Sequence, residues 1–556
     1  MGSNAERTKP TPEARVAANP PAWMWRLLGA LAVVTAAAVV AAYIWAVLFV
    51  TPVNVDETQR LARTADLVLE QQAPRADLWP SDNPAFVLLL YPLVAVLPPH
   101  ALPLAMRVLA LALMLLGLAV YYFVLRAFDR ENAWLAFLAS LTLVFSCPAL
   151  LFKATEARPD APAAACVLLG LLAVFRSRRA AGRLVGWILL GVAVALRLEA
   201  VLVLAPVAVV EVWRIRRKEI RAGWLLALGI PPLVTLLTHV LLYRDMVWRI
   251  LADWPLVYTV ITKTVAPYSL SVISSTLLLP GLIGLVGVLG RVWRLRSAGG
   301  KDEGPFNAAL LGAALLLFVY HTFGIRLIYL QTFWGQFYLL APFAGLAAVK
   351  GMRAAGWLRR DGLFHRAFPL IAALIALNAM LYGIPRQYRF REYVPQPRQE
   401  TAPTPAVDLS PDNLIFVAYS TPQVARFWRW LEERYGRRFT AYADDVVLPF
   451  GDPVVRPRHI MDAVVAIPSV LRREYRDQRA VAAYFARFPD LNFVWRGKAY
   501  TPGGFLAAKA PDVLMADHLL SRLCREAPEL RRLLREKYRF VMAGGEAPVY
   551  VRRSSP

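Results

Sequence analysis

The sequence predicts an α-helical polytopic membrane protein carrying a C-terminal extracytoplasmic α/β domain. Three observations lead there. Hydrophobic residues make up 58% of the 556 positions, and the mean hydropathy is +0.45, above what soluble domains reach. Several windows close to or beyond ~18 residues carry almost no charge, the mark of helices that cross a bilayer. Arg- and Lys-rich loops alternate with poor ones, as short loops do when they fix orientation.

The elements follow in order. Residues 1–22 are polar and contain Pro10, Pro12, Pro20 and Pro21, which predicts a disordered cytoplasmic tail. A membrane region covers 23–384. Its first apolar run, Trp23–Val50, has no small-residue cleavage site and is read as a permanent span. Ten more runs follow: Leu102–Leu125, Asn132–Phe152, Pro162–Phe175, Leu184–Leu196, Ala200–Val212, Trp224–Tyr243, Val272–Leu289, Phe306–Phe323, Phe337–Val349 and Phe368–Tyr382. Asn83–Leu97 is apolar but short and bounded by prolines, so it is read as a helix lying on the surface, as is the amphipathic Thr58–Gln72. With Asn83–Leu97 not spanning, the cation-dense loops at 126–130, 176–183, 213–221, 291–301 and 350–366 all fall inside. Counting it as a span would invert every later loop and break the rule. About eleven spans result.

The first outer loop is then 51–101 and the second 153–161. Residues 385–410 are a proline-rich linker. Beyond it, 411–556 alternates short apolar runs with helical patterns: strands at Leu414–Tyr419, Ala463–Ile467, Asn492–Trp495 and Val549–Val551, and helices at Val424–Tyr435, Val470–Arg487 and Val513–Lys537. That alternation predicts a small α/β domain outside the membrane.

The net charge of +24, from 63 Lys and Arg against 39 Asp and Glu, reports topology, since much of the excess lies in inner loops; no nucleic-acid partner is implied. Cys147, Cys166 and Cys524 give neither a disulfide framework nor a metal-like cluster. The six histidines show no paired ligand spacing.

The chemistry-bearing residues collect on one face. Asp56 and Glu57 open the first outer loop. Lys153, Glu156, Arg158 and Asp160 form the second, and Glu199 and Arg326 lie in later outer loops. An apolar span followed by Asp-Glu, then Ala157-Arg158-Pro159-Asp160-Ala161 opening a span, resembles the GT-C glycosyltransferases. The protein O-mannosyltransferase-like family and the lipid A aminoarabinose transferases are the nearest in pattern. Surface helices in the first outer loop agree, as does the run Trp334-Gly335-Gln336-Phe337-Tyr338-Leu339-Leu340-Ala341-Pro342. Where family members often carry Arg-Tyr, this chain has Gln336-Phe337, so Lys153 or Arg326 is expected to meet the phosphate.

The resemblance implies an inner-membrane enzyme that moves a sugar from a polyprenyl-phosphate donor to a hydroxyl acceptor (protein, lipid or polysaccharide) with inversion. A hydroxyl needs a general base, for which Asp56 is expected. Glu57 and Asp160 are expected to assist in catalysis, Arg158, Lys153 and Arg326 to bind the donor phosphate, and Glu156, Glu199, Gln336 and Tyr338 to line the substrate. Several carboxylates together could instead hold Mg²⁺ or Mn²⁺ through Asp56, Glu57 and Asp160. The rival reading is a transporter or flippase of a lipid-linked or polyanionic substrate. It predicts charges within spans and a repeated half; the span interiors are nearly free of acids and no repeat is visible.

Overall fold

The computed structural model describes residues 22–50, 84–145, 158–243, 304–320, 334–358, 420–436, 439–442, 502–516, 527–544 and 547–553, most of 367–378, and isolated positions between them, including Glu57, Arg60, Leu61 and Thr64. The membrane part is built from α1 (Ala22–Trp45), α2 (Pro84–Val96), α3 (Leu102–Phe128), α4 (Ala133–Phe145), α5 (Asp160–Arg176), α6 (Ala180–Leu196), α7 (Leu204–Arg216), α8 (Ile230–Tyr243), α9 (Gly304–Val319) and α10 (Trp334–Ala354). Among the described residues, Pro99–Phe128 and Ala222–Leu241 are long and apolar enough to cross a bilayer, and five further apolar helices are shorter. The expected run Val272–Leu289 lies almost wholly outside the described residues.

Two boundaries differ from expectation for local reasons. The run from Ala200 begins as a 3-10 turn, Leu198–Val203, before α7. The run from Trp224 likewise begins with a 3-10 segment, Ala222–Gly229, and becomes α-helical at Ile230, where Pro231 and Pro232 fall in the first turn. Proline is tolerated there because a helix's first N–H groups have no intrahelical acceptor. Asn83–Leu97 is a helix as expected, over Pro84–Val96. Its Phe86, Val87 and Leu90 are buried, while Tyr91 and Val96 are exposed.

Lipid is as apolar as leucine, so these helices gain little by hiding leucine from it; close contact through small residues supplies the packing instead. A Cβ on Gly186 would lie 2.7 Å from the Val174 nitrogen and 2.8 Å from the Gly170 carbonyl, joining α5 to α6. A Cβ on Gly312 would meet Pro206 of α7 at 2.6 Å. One on Gly345 of α10 would meet Ser140 Oγ at 2.2 Å and the Ala136 carbonyl at 2.4 Å on α4. Leu115, Leu116 and Phe123 of α3 and Leu233, Leu237 and Leu241 of α8 face outward, as lipid-facing side chains do.

Pro342 lies inside α10 and has no N–H for the carbonyl of Tyr338 four residues back. The hydroxyl of Tyr121 on α3 donates to that carbonyl at 2.8 Å. At the far end of α3, burial pushes the Asp129 carboxyl up, but hydrogen bonds from Asn132 and Lys350, with the charge of Lys350, outweigh it and hold the group below the usual carboxylate range. The Lys350 Nζ is 3.0 Å away.

The C-terminal domain comprises α11 (Thr421–Tyr435), β1 (Thr440–Tyr442), β2 (Asp452–Pro453), β3 (Val494–Trp495), β4 (Lys498–Ala499), α12 (Pro502–Lys509), β5 (Val513–Met515), α13 (Pro528–Lys537), β6 (Tyr538–Ala543) and β7 (Ala547–Arg552). Five strands form a sheet in the order β2-β1-β5-β7-β6, with β1 parallel to β2 and β5 and the remaining pairs antiparallel. The expected helix Val513–Lys537 is therefore split. Val513, Leu514 and Met515 are all buried in a central strand, where an unbroken apolar run is at home, while Leu520, Leu523, Cys524 and Pro528–Lys537 are helical. The expected elements Leu414–Tyr419, Ala463–Ile467 and Val470–Arg487 lie outside the described residues. Gly544, at φ +59 after β6, approaches the Arg426 carbonyl of α11; a Cβ there would lie 2.9 Å from that oxygen. Helix α11 begins with a capping box in which Ser420 and Gln423 satisfy each other's backbone. Its Val424, Phe427, Trp428 and Leu431 are buried in the same hydrophobic core as the membrane helices. The contacts fall on Ala46–Val50, Pro99–Ala101 and α3.

Gly345→Ala is expected to destabilise the protein by about 1–3 kcal/mol, read as a lower unfolding midpoint in detergent. An unchanged midpoint would show that α4 and α10 part without cost. The Asp129 contribution is full above the carboxyl's unfolded value and is lost as pH falls through its lower folded value. Thermal scans from pH 7 to pH 3 should therefore show a shallower acid decline in Asp129→Asn than in the parent.

Candidate active site

The site begins where α1 ends. Its last turn, Ala46–Val50, is a π-helix. Arg107 lies five residues beyond the start of α3 and is 1% exposed. An arginine in so apolar a helix must be paired. It donates to the Val47 carbonyl at 2.6 Å and to Glu57 Oε2 at 2.9 Å. Glu57, Leu61 and Thr64 are all fully buried, and spacing of four and then three residues puts them on one helical face. Arg107 thus ties the end of the first span, the opening of the first loop and α3 together. Arg60, three residues after Glu57 and half-buried, has its guanidinium 5.8 Å over the Phe86 ring of α2.

The second element is Asp160, the first residue of α5 and 4% exposed. Arg158 Nε donates to its Oδ2 at 3.1 Å. Arg197, at the end of α6, donates to Oδ1. Arg197 Nε is also 3.3 Å from Glu199 Oε2. Arg60 adds its positive charge to the field at Asp160, and so links the two elements. A carboxylate at a helix N-terminus is favoured by the helix dipole. Among the described residues, Arg60, Arg158 and Arg197 are thus gathered around Asp160 and Glu199. Behind this cluster lies a small apolar recess of ≈ 10 Å³, lined by Met114, Leu118 and Tyr121 of α3, Ala161 and Ala164 of α5, and Tyr338 of α10.

Of the residues expected from the sequence, Arg158, Asp160 and Glu199 come together, with Glu57 on the adjoining helical turn. Tyr338 lines the recess. Gln336 lies on α10, six residues before Pro342. Asp56, Lys153, Glu156 and Arg326 lie outside the described residues. Arg60, Arg107 and Arg197 had no assigned role. The signal for Arg107 was present, because it is an ionisable residue inside a predicted span. No group of three or more metal-binding side chains occurs among the described residues. Glu57 faces Arg107, and both Asp160 oxygens face arginines, so these two carboxylates are poorly placed as metal ligands and no step is drawn through a metal.

No family model matches the chain, and no curated protein matches it. Among solved structures it is similar to ArnT from Cupriavidus metallidurans bound to undecaprenyl phosphate, with a TM-score of 0.53 and 14% identity over 96% of this chain and 99% of that one. The chain has the GT-C fold. Another GT-C structure, the archaeal oligosaccharyltransferase AglB from Archaeoglobus fulgidus in complex with an inhibitory peptide and a dolichol-phosphate, is similar at a TM-score of 0.45 and 12% identity, over 96% of this chain and 75% of that one. That likeness is too distant to carry argument. The GT-C fold makes a membrane location the setting of the site.

Breaking the buried pair with Arg107→Met alone is expected to cost about 3–5 kcal/mol, because Glu57 would remain charged without its arginine. Adding Glu57→Gln should restore most of the lost unfolding midpoint. Equal loss in the single and double variants would rule the pair out as the cause.

Proposed function

We infer that the protein is an integral-membrane glycosyltransferase that takes a sugar from a polyprenyl-phosphate carrier and passes it to a hydroxyl acceptor, with inversion, on the extracytoplasmic side of the inner membrane. One observation carries this reading: a buried cluster of arginines around Asp160 backed by a small apolar recess. An anionic headgroup on an apolar chain needs both, side by side, where a membrane helix ends. The fold shared with a protein bound to undecaprenyl phosphate supports it.

The reaction forms a bond from the acceptor oxygen to the anomeric carbon and breaks the bond from that carbon to the phosphate oxygen. The leaving phosphate keeps the electron pair. Asp56, next in sequence to the buried Glu57, takes the acceptor proton as general base. Charge on the departing phosphate is met by Arg158 and Arg197, with Arg60 close by and Lys153 and Arg326 as further cations. Preset cations cost no reorganisation as the charge develops. Positive charge grows on the sugar ring as the bond lengthens, and the nearby carboxylates favour it. Glu57 acts by holding the start of the loop through Arg107. Asp160 acts by holding two guanidinium groups at a fixed spacing, and Glu156, Glu199, Gln336 and Tyr338 line the substrate. The C-terminal domain, whose α11 is seated at the same end of the bundle, stands over the acceptor side.

The test uses purified protein and a labelled polyprenyl-phosphate sugar, following release of the lipid phosphate. Asp56→Asn is expected to lower kcat by about 10²–10⁴-fold with the unfolding midpoint unchanged. Arg197→Gln should weaken donor binding and slow transfer together. Undiminished transfer by folded Asp56→Asn would remove the base. Failure of the parent protein to bind any lipid-linked sugar would remove the class.

A further inference from the structure

The end of the bundle away from Asp160 carries a second buried ionic assembly that the reaction does not use. Arg183, near the start of α6, lies ~20 Å along the helix from Arg197 at 1.5 Å per residue. Its Nη2 is 2.5 Å from Glu211 Oε2, and Arg214 Nη1 is 2.9 Å from Glu211 Oε1. Glu211 is fully buried. Arg183 stacks over Trp224 at 4.2 Å and Arg214 over Phe175 at 5.7 Å. This fork locks the α5–α6 turn to the turn after α7.

Outside the fork, Arg178, Arg179, Arg216, Arg217, Lys218 and Arg221 are all exposed. The exposed acid between α7 and the next helical segment is Glu219, already 3.5 Å from Arg214 Nε. Along α7, Val209, Trp213 and Arg217 recur every four residues and so share one face. Val209 is 69% exposed and Trp213 41%, and the Arg217 guanidinium lies 4.0 Å over the Trp213 ring. That face runs from an apolar stem through an interfacial aromatic to a cation. The next residue, Lys218, has φ +61. Its N–H bonds the Ile215 carbonyl at 2.8 Å, and the Glu219 N–H bonds that of Arg214 at 2.9 Å. Glycine is the residue that fills such a helix-ending position at least cost; here a strained backbone presents a lysine.

We propose that this face is a seat for an anionic phospholipid of the leaflet opposite the candidate active site, its phosphate between Arg217 and Lys218 and its chains along Val209 and Trp213. Loop cations that merely set orientation need no headgroup preference and no lysine in a left-handed turn. The charge excess and the exposed apolar stem beneath it match an acidic lipid.

Native mass spectrometry of the full chain, released from detergent after adding dioleoyl-phosphatidylglycerol or dioleoyl-phosphatidylcholine, tests this. The phosphatidylglycerol adduct should be retained over the phosphatidylcholine adduct. Arg217→Gln with Lys218→Gly should weaken the phosphatidylglycerol adduct roughly 25-fold, at about fivefold for each cation removed. The glycine takes the same backbone shape, so the unfolding midpoint should hold. Equal retention of the two lipids, or an unchanged phosphatidylglycerol adduct in the double variant, would overturn the proposal.

Discussion

A charge inside an apolar bundle must find its counter-charge, and that requirement shapes this protein. Arg107 cannot reach water from within α3, so it draws in Glu57 and the Val47 carbonyl. Those two contacts fix where the first span stops and where the loop that follows begins. Asp160 imposes the same demand on Arg158 and Arg197. The segments that follow α1 and precede α5 are therefore seated by ion pairs, while the helices themselves are held by glycine and alanine contacts. Precision at the site is thus separated from adhesion of the scaffold. A change in a lipid-facing leucine should leave the arginines where they are.

The same logic appears twice, at opposite ends of α6. Near one end Arg183 shares Glu211 with Arg214, and at the other Arg197 shares Asp160 with Arg158. In each case two guanidinium groups from different elements grip one carboxylate at the edge of the apolar zone. The two assemblies differ in what adjoins them. Asp160 is backed by a small apolar recess; Glu211 is backed by aromatic rings and an exposed basic turn. Local surroundings, not the ion pairs themselves, separate a candidate reaction centre from a structural fork.

Much of the helical layout could be read from the sequence because apolar length and loop charge are local properties. Pro84–Val96 and Thr421–Tyr435 fall within a residue or three of the expected bounds. Pairing could not be read in this way. Glu57 and Arg107 are fifty positions apart, and nothing in either neighbourhood names the other. Tyr121 meets the Tyr338 carbonyl across 217 positions, and only Pro342 hinted that this carbonyl would need a donor. The three apolar residues Val513–Met515 fit a helical or a strand pattern equally well; the strands on both sides decide the matter. The loop carboxylate pair was visible as a motif, yet the arginines that organise the described acids were not, since an arginine in a loop looks like every other loop cation.

Helix α11 has a consequence of its own. Its Phe427 and Trp428 sit in one continuous core with Val47, Leu102 and Met106 of the membrane helices. The water-facing domain and the bundle are therefore not two bodies joined by a tether. Cut at the linker, the C-terminal part would carry a raw tryptophan- and phenylalanine-lined scar into solution, and the bundle would lose its lid. Synthesis must finish before either half is fully dressed, so assembly of this protein waits on its last third.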